Sequence, residues 1–250
     1  MTQDFEGLNV LVTGAASGLG RATALEFAGR GASLTLVDVN AEGLDETRKA
    51  CEAKGAKAIT VPTDLSDAEA CMAPVPAAID AFGRLDALIN VAGMLVFNHF
   101  PDTTVAQFDK VFAINVRAPF LLIQSALPHL LESEGAVVNV ASASGVMGHA
   151  YTTAYGATKG AVIAMTKNLA TEYWKSPLRI NAVAPGAMMT PMASATKMDE
   201  TYDMQLIAKG IGAREIARPE DLCEIIAYLA SPRNKRVHGQ VYSIDQGVTA

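Results

Sequence analysis

A tyrosine and a lysine lie four residues apart in the stretch YGATK, at Tyr155 and Lys159, with only small residues between them. In a helix, the 3.6-residue period places such a pair on one face, one turn apart. A phenol ordinarily keeps its proton until a pH of about 10, and a fixed ammonium nearby favours the phenolate. The pair predicts either an acid/base device or two amphipathic side chains on a helix surface, and its spacing alone does not separate the two.

A glycine-rich turn, TGAASGLG, covers residues 13–20 between a predicted strand and a predicted helix. Gly14 permits a sharp exit from the strand, and Gly18 and Gly20 allow a pyrophosphate and the sheet to approach the backbone closely. The first helical turn would offer unpaired N–H groups to phosphates. Because the spacing is not the generic G-x-G-x-x-G, a turn that serves only tight packing stays as the alternative.

A carboxylate, Asp38, ends the second predicted strand, 18 residues after Gly20. In that position it could accept hydrogen bonds from both hydroxyls of an adenosine ribose, and it would repel a 2′-phosphate. No arginine follows in DVNAEG. The pattern therefore predicts NAD rather than NADP, and the alternative is a plain turn aspartate.

Apolar segments of strand length alternate with amphipathic segments along the whole chain. Strands are predicted at 8–14, 33–39, 57–65, 85–93, 136–142, 179–185 and 240–247. Helices are predicted at 21–31, 41–55, 67–82, 104–131 and 152–174 and after RPEDL at 218–222, with a less regular stretch at 187–212. Strands that are apolar on both faces, each followed by a helix, predict an α/β protein with a Rossmann-type, doubly wound parallel sheet of about seven strands. No linker or repeat divides residues 1–250, so a single domain is expected.

Composition narrows the functional classes. Half of the 250 residues are hydrophobic and 18% are charged, which is typical of a globular protein. The net charge of −6 argues against a nucleic-acid partner, which requires a clustered basic surface. No apolar run reaches the roughly 18 residues that span a bilayer, and the acidic N-terminal segment is unlike a secretory signal. The three cysteines and four histidines show no metal-ligand spacing, so we expect a cytoplasmic protein without a metal site.

Together these motifs resemble the short-chain dehydrogenase/reductase family over nearly the whole chain. TGAASGLG matches the family's TGxxxGxG, and YGATK matches its YxxxK. The other matches, in the expected order, are Asp64–Leu65, NVAG at 90–93, Asn115, Ser142 at 13 residues before Tyr155, and Pro185–Gly186 followed by Thr190.

Two positions depart from the family pattern. Val91 replaces the second asparagine of NNAG, so we expect the loss of a side-chain hydrogen bond in the central sheet. Gln246 replaces the first glycine of the C-terminal DGG, so we expect an altered turn near a subunit interface.

The resemblance implies hydride transfer between NAD and a secondary alcohol or ketone. Tyr155, made acidic by Lys159 and the nicotinamide ring, would be the acid/base, a role typically worth about 10²–10⁴ in rate. Ser142 would donate a hydrogen bond to the substrate oxygen, Lys159 would also bind the nicotinamide ribose, and Asn115 would hold a proton-relay water. The implied cofactor-binding residues are Gly14, Ser17, Gly18, Leu19, Gly20, Asp38, Val39, Asp64, Leu65, Asn90, Ala92, Gly93, Tyr155, Lys159, Pro185, Gly186 and Thr190.

Methionines are concentrated in the segment 187–212, which in the resembling family is a mobile flap over the substrate. Methionine makes an adaptable apolar lining, although core filling would explain the same residues. No clustered arginine or lysine is present to hold a carboxylate, a phosphate or coenzyme A. We predict a neutral, apolar substrate that is cyclic, aromatic or steroid-like. The candidate lining residues are Ser144, Met94, Met147, Met188 and Met192; His99 and His149 are expected at surface or hydrogen-bonded positions instead.

Two alternative functions stay open. A 3-oxoacyl-[acyl-carrier-protein] reductase would require NADP and a basic docking patch. A catalytically silent NAD-binding regulator would have no need of Asn115, Ser142, Tyr155 and Lys159 together.

The helices at 104–132 and 152–174 are more apolar than covering a sheet requires. In the resembling family they pair into a four-helix bundle, so a homotetramer is predicted, with a dimer as the fallback.

Overall fold

Seven parallel strands form the sheet in the computed structural model, which describes residues 3–196, 198–212 and 214–250. Their spatial order is β3-β2-β1-β4-β5-β6-β7, so the direction of winding reverses between β1 and β4. The strands are β1 Asn9–Thr13, β2 Ser33–Asp38, β3 Ala58–Pro62, β4 Ala87–Asn90, β5 Ala136–Val140, β6 Arg179–Pro185 and β7 Val241–Ile244. The predicted doubly wound α/β fold is confirmed.

Helices cover both faces of this sheet. They are α1 Gly18–Gly29, α2 Ala41–Glu52, α3 Pro74–Phe82, α4 Val105–Phe112, α5 Ala118–Glu132, α6 Thr153–Glu172, α7 Pro191–Ser194, α8 Met204–Ile211 and α9 Glu220–Ala230. The last three follow β6, and α7 and α8 lie in the segment predicted to be an irregular flap, of which Lys197 lies outside the described residues.

The side chains of each strand alternate between two separate hydrophobic clusters. Val10 and Val12 pack in one cluster with Phe27 of α1, whereas Leu11 packs in the other with Leu122 of α5. All five are almost completely buried. The period-two alternation of a strand, with helices on both sides, explains why these strands read as continuous apolar runs.

The helix predicted at 104–131 contains a wider turn. Residues Ala113–Arg117 form a π-helical turn between α4 and α5. Pro119 has no N–H to donate to the carbonyl of Asn115 four residues earlier, which favours a local change of helical pitch. The turn places Asn115 in the interior, where it is 2% exposed.

The continuous helical stretch Val105–Glu132 is long and apolar enough to cross a membrane by length and composition alone. Its Leu122, Ile123 and Leu130 instead pack in a buried cluster against the sheet. Within the described part of the chain it is the one helix with this length and composition. Helices buried in a protein core can have the same length and composition.

The structure shows the hydrogen bonds around Val91 and the backbone conformation of Gln246, the two positions that depart from the family pattern. Val91 donates its N–H to Thr13 Oγ1 at 3.0 Å, and the central polar chain runs instead from Asn90 to Asn139 at 2.9 Å and on to Thr166 at 3.0 Å. Asn139 is therefore a fully buried residue that joins these two hydrogen bonds. Gln246 adopts a positive φ of 60°, the left-handed conformation that a glycine would take without strain.

Candidate active site

A cleft of about 470 Å³ opens at the carboxyl ends of the strands, beside the point where the winding reverses. This is the usual ligand position in an open α/β sheet. Of the predicted cofactor-binding residues, all but Asn90 line it: Gly14, Ser17, Gly18, Leu19, Gly20, Asp38, Val39, Asp64, Leu65, Ala92, Gly93, Tyr155, Lys159, Pro185, Gly186 and Thr190. The Asn90 side chain is buried and bonded to Asn139 instead.

The turn between β1 and α1 folds tightly on its own backbone at Gly20. A Cβ atom at Gly20 would lie 2.0 Å from the carbonyl oxygen of Gly14, so only glycine fits. Ser17, which precedes α1, makes no side-chain capping bond, so the first N–H groups of the helix are not capped by it. An anion fits this end of the helix because of both the N–H groups and the helix dipole.

The carboxylate of Asp38 is held at the edge of the same cleft. Its Oδ2 accepts from the N–H of Ala16 at 3.2 Å, and its Oδ1 accepts from the N–H of Asn40 at 3.0 Å. Each oxygen retains acceptor capacity for a further donor. A diol next to a phosphate cradle is the group that this arrangement fits, so the residues present fit a dinucleotide.

Lys159 is a buried cation on α6. It is 4% exposed, its Nζ donates to the carbonyl oxygen of Val140 at 2.8 Å, and the same nitrogen lies 5.6 Å from the centre of the Tyr155 ring. Burial lowers the pKa of Lys159 to about 8, because removal from water disfavours the charged form.

The surroundings of Tyr155 raise its pKa, whereas the sequence predicts that the pKa is lowered. Removal from water raises the pKa of Tyr155, and its side-chain hydrogen bond with Ser142 opposes that shift. The prediction rested on the charges of Lys159 and of the nicotinamide ring, whereas desolvation has the larger effect in the protein by itself.

A short 3₁₀ turn, Ala143–Gly145, brings Ser142 to this pair. A Cβ atom at Gly145 would lie 2.6 Å from the backbone carbon of Lys159, so the turn packs directly on α6 only because residue 145 is glycine. The Ser142 Oγ accepts from the N–H of Ser144 at 3.2 Å. This bond fixes the Ser142 oxygen, and the single hydroxyl proton can rotate between the Tyr155 oxygen and a substrate oxygen.

Asn115 clamps the loop after β4 to α6. Its Oδ1 accepts from the Met94 N–H at 2.8 Å, and its Nδ2 donates to the Met94 carbonyl at 3.0 Å and to Thr158 Oγ1 at 3.0 Å. Both amide hydrogens are thus used within the protein. The role of this side chain in the structure is to position neighbouring backbone, and the relay water stays an expectation.

The model of a known family matches residues 14–249, and its description is enoyl-(acyl carrier protein) reductase. This match covers nearly the whole chain and includes every side chain of the cleft described above. The chain belongs to the short-chain dehydrogenase/reductase family. It is therefore an oxidoreductase, as its motifs predict.

Curated relatives of this short-chain dehydrogenase/reductase act on different substrates. Levodione reductase of Leifsonia aquatica is 37% identical over 100% of this chain and 97% of its own length. Cis-4-hydroxycyclohexanecarboxylate dehydrogenase of Sinomonas cyclohexanicum is 37% identical over 100% of both chains. A 3-oxoacyl-[acyl-carrier-protein] reductase of Thermotoga maritima is 34% identical over 97% of this chain and 98% of its own.

Solved structures agree with the fold and with a nicotinamide cofactor. A short-chain dehydrogenase from Mycobacterium paratuberculosis bound to NAD has a TM-score of 0.90 at 28% identity, covering 98% of this chain and 99% of that one. One from Burkholderia cenocepacia J2315 in complex with NADP has a TM-score of 0.89 at 28% identity, covering 99% and 100%. The relatives therefore bind either form of the cofactor.

Of the residues predicted to line the substrate end of this short-chain dehydrogenase/reductase, Ser144, Met188 and Met192 do line the cleft. Met94 packs instead in a small buried cluster around Val96, and Met147 lies outside the lining. The chain direction after β4 turns the Met94 side chain into the interior.

Part of the cleft lining is not predicted by the sequence pattern. His149 faces the cleft rather than the surface, together with Ile207 and Ile211 of α8 and Phe97 of the loop after β4. The i, i+4 spacing of Ile207 and Ile211 was a usable signal for a helix with one apolar face. Nothing local to His149 indicated its position.

An aromatic cluster connects the flap to the loop after β4. The Tyr202 ring lies 4.7 Å from that of His99 and 5.2 Å from that of Phe97, measured between centroids. Tyr151 packs against all three, and its hydroxyl accepts from the N–H of Asp203 at 3.0 Å. These contacts hold the segment before α8 over the substrate end of the cleft.

Proposed function

We propose that this protein is an NAD-dependent oxidoreductase that interconverts a secondary alcohol and a ketone, with Tyr155 as its acid/base. The observation that carries the proposal is the position of Tyr155, beside Ser142 and close to the buried Lys159, inside a cleft whose other end fits a dinucleotide.

When bound, NAD would supply the hydride acceptor, and NADH the donor. The protein's part is then to hold the substrate oxygen and to move its proton. Ser142 donates its hydroxyl proton to that oxygen in a hydrogen bond, and Tyr155 exchanges a proton with the same atom. Lys159 stabilises the phenolate as it forms, because its ammonium lies 5.6 Å from the ring centre in a site removed from water.

The lining favours a neutral, largely apolar substrate. Among the described residues that line the cleft, Lys159 is the one lysine or arginine, and it is held at the Tyr155 end. Phe97, Met188 and Ile207 supply apolar surface at the other end. The activities after which the levodione and hydroxycyclohexanecarboxylate relatives are named support a small ketone or alcohol.

The preference for NAD over NADP rests on Asp38. A 2′-phosphate would meet a carboxylate that two backbone N–H groups hold in place, and Val39 beside it offers no positive charge. Burying like charges against each other opposes binding.

A 3-oxoacyl-[acyl-carrier-protein] reductase is the second candidate, because the family description and the Thermotoga relative both name acyl-carrier-protein reductases. Such an enzyme would prefer NADPH and a thioester substrate. Acetoacetyl-coenzyme A with NADPH is the probe that separates it from the first candidate.

We also propose that the active species is a homotetramer. Val105, Phe108 and Phe120, on α4 and α5, are 76%, 44% and 52% exposed, respectively. Exposed aromatic groups on a long core helix are typical of an interface. The Tyr155 helix packs beside these helices, so assembly should stabilise the site.

Absorbance at 340 nm tests the proposed reaction. Cyclic and aromatic ketones are supplied with NADH and, in parallel, with NADPH, and acetoacetyl-coenzyme A is included with both. Turnover of simple ketones with NADH that is lost in the Tyr155→Phe variant supports the proposal. Tight NADH binding without turnover of any ketone would favour a regulator instead.

A further inference from the structure

A serine and a histidine that the mechanism above does not use meet at the substrate end of the cleft. The Ser144 Oγ and the His149 Nδ1 lie 3.1 Å apart, and both residues line the cleft. Helix α8 covers the ring closely, because a Cβ atom at Gly210 would lie only 2.7 Å from His149 Nδ1. The other ring nitrogen, Nε2, is buried and has no hydrogen-bond partner among the described residues.

The unpartnered nitrogen decides which way the serine–histidine bond runs. Burial lowers the pKa of His149 more than the charge of Asp245 raises it, so the ring carries one proton at neutral pH. A proton on Nε2 would be a buried donor without a partner, which proteins rarely tolerate, whereas an unpaired lone pair there is less costly. The proton therefore lies on Nδ1, and His149 donates to the Ser144 oxygen.

This direction leaves the Ser144 hydroxyl free to donate into the cleft. Ser142 is arranged in the same way, since its oxygen accepts from the Ser144 N–H at 3.2 Å. The nearby Thr152 cannot substitute, because its hydroxyl donates to the His149 carbonyl at 3.0 Å. Two hydroxyl donors on a single short turn therefore face the cleft. Of these two, the reacting oxygen accepts only from Ser142, so the Ser144 hydroxyl is left for another acceptor.

We propose that His149 is a positioning residue that fixes Ser144 as a second hydrogen-bond donor, so that the enzyme selects ketones carrying a second, neutral acceptor oxygen. The inference rests on the proposed function and narrows its substrate class. A carboxylate is a poorer match for this second oxygen, because no described cationic side chain lies at that end of the cleft.

The test compares cyclohexane-1,4-dione with cyclohexanone, which differ by one carbonyl oxygen, as substrates with NADH. The measured quantity is the ratio of their kcat/KM values in wild type, Ser144→Ala, His149→Phe and the double variant. Intrinsic reactivity cancels when this ratio is compared between proteins. We expect the ratio to fall about fivefold in each single variant, mainly through the KM of the dione, which corresponds to about 1 kcal/mol. The double variant should fall no further, because both changes remove the same bond.

Matched amides at position 149 separate positioning from simple packing. Asparagine can place an N–H where Nδ1 lies, whereas glutamine places it nearer Nε2. His149→Asn should retain the wild-type ratio and His149→Gln should lose it, with folding checked by thermal unfolding and NADH binding. If His149→Phe does not fold, the two amide variants and Ser144→Ala still test the inference. A ratio that Ser144→Ala or His149→Gln leaves within about twofold of wild type would overturn the inference. Failure of wild type to reduce either ketone would instead count against the proposed function.

Discussion

The ammonium nitrogen of Lys159 lies 2.8 Å from the carbonyl oxygen of Val140. This bond fixes a buried cation at the end of β5, with two N–H groups left for other acceptors. Because burial lowers the pKa of Lys159 to about 8, the charge on this side chain is lost as the pH rises through that value. The cofactor site therefore contains a group that titrates close to neutral pH.

We predict that NADH binds more weakly above pH 8 than below it, because the cation that would bind the nicotinamide ribose is then neutral. Binding would stabilise the charged form, so the dissociation constant should rise with pH from that value upward. Fluorescence titrations on both sides of pH 8 would measure it. Lys159→Met should abolish this pH dependence, whereas Lys167→Met, an exposed lysine on the same helix, should keep it. A wild-type dissociation constant that is unchanged across pH 8 would contradict the prediction.

Tyr155→Phe should lower kcat by at least about 100-fold, since a positioned acid/base is typically worth about 10²–10⁴. The substitution removes only the hydroxyl, so NADH binding should persist. Steady-state kinetics and NADH fluorescence measure the two effects separately. Tyr228→Phe, on the exposed face of α9, is the control and should retain full activity. Retention of more than about a hundredth of the wild-type kcat by Tyr155→Phe would show that Tyr155 is not the acid/base.

Wild type should use NAD at least about tenfold more efficiently than NADP, which is about 1.4 kcal/mol. The reason is repulsion between Asp38 and a 2′-phosphate. Asp38→Ala combined with Val39→Arg should shrink or reverse the ratio of the kcat/KM values. Glu42→Ala, an exposed carboxylate on α2, is the matched control and should leave the ratio unchanged. A wild-type preference for NADP would show that Asp38 does not lie against the ribose.

Gln246→Gly should raise the thermal unfolding midpoint by about 2–4 °C. Residue 246 has a φ of 60°, and the Gln246 Oε1 atom is buried with no partner among the described residues. Glycine would relieve backbone strain of about 1 kcal/mol and remove the unpaired oxygen. Glu134→Gly is the comparison, because Glu134 also has a positive φ, of 52°, but is exposed, so its gain should be smaller. Calorimetry that gives Gln246→Gly a midpoint at or below that of wild type would refute the argument.

The homotetramer predicts a particle of about four times the 26.2 kDa chain mass in light scattering after size exclusion. Phe120→Glu should dissociate it and lower activity, because a charge would be buried where the interface requires an apolar group. Phe100→Glu, at an exposed position outside these helices, should leave the assembly intact. A fully active monomer would exclude both the interface and its link to activity.

Hydrophobic pattern predicted the fold, and short motifs with the family resemblance that they carry predicted the main site residues. The strand predicted at 179–185 is β6 with the same bounds, and the helix predicted at 152–174 is α6 at Thr153–Glu172. Hydrophobic periodicity reports burial directly, and the carboxyl ends of parallel strands must meet at one edge of the sheet. For this reason the glycine turn, Asp38 and Tyr155 could be predicted to share a cleft from their places in the chain.

Tertiary structure decided whatever depends on contacts between distant segments. Desolvation, not the neighbouring lysine, sets the direction of the Tyr155 pKa, and this requires knowing what surrounds the ring. Met94 faces the interior while His149 faces the cleft, because the path of each loop is set by the elements packed around it. The donor direction of Ser144 depends on Gly210 covering the His149 ring from 61 residues further along the chain. A one-dimensional pattern does not contain such a contact, since it arises only when α8 folds over the turn after β5.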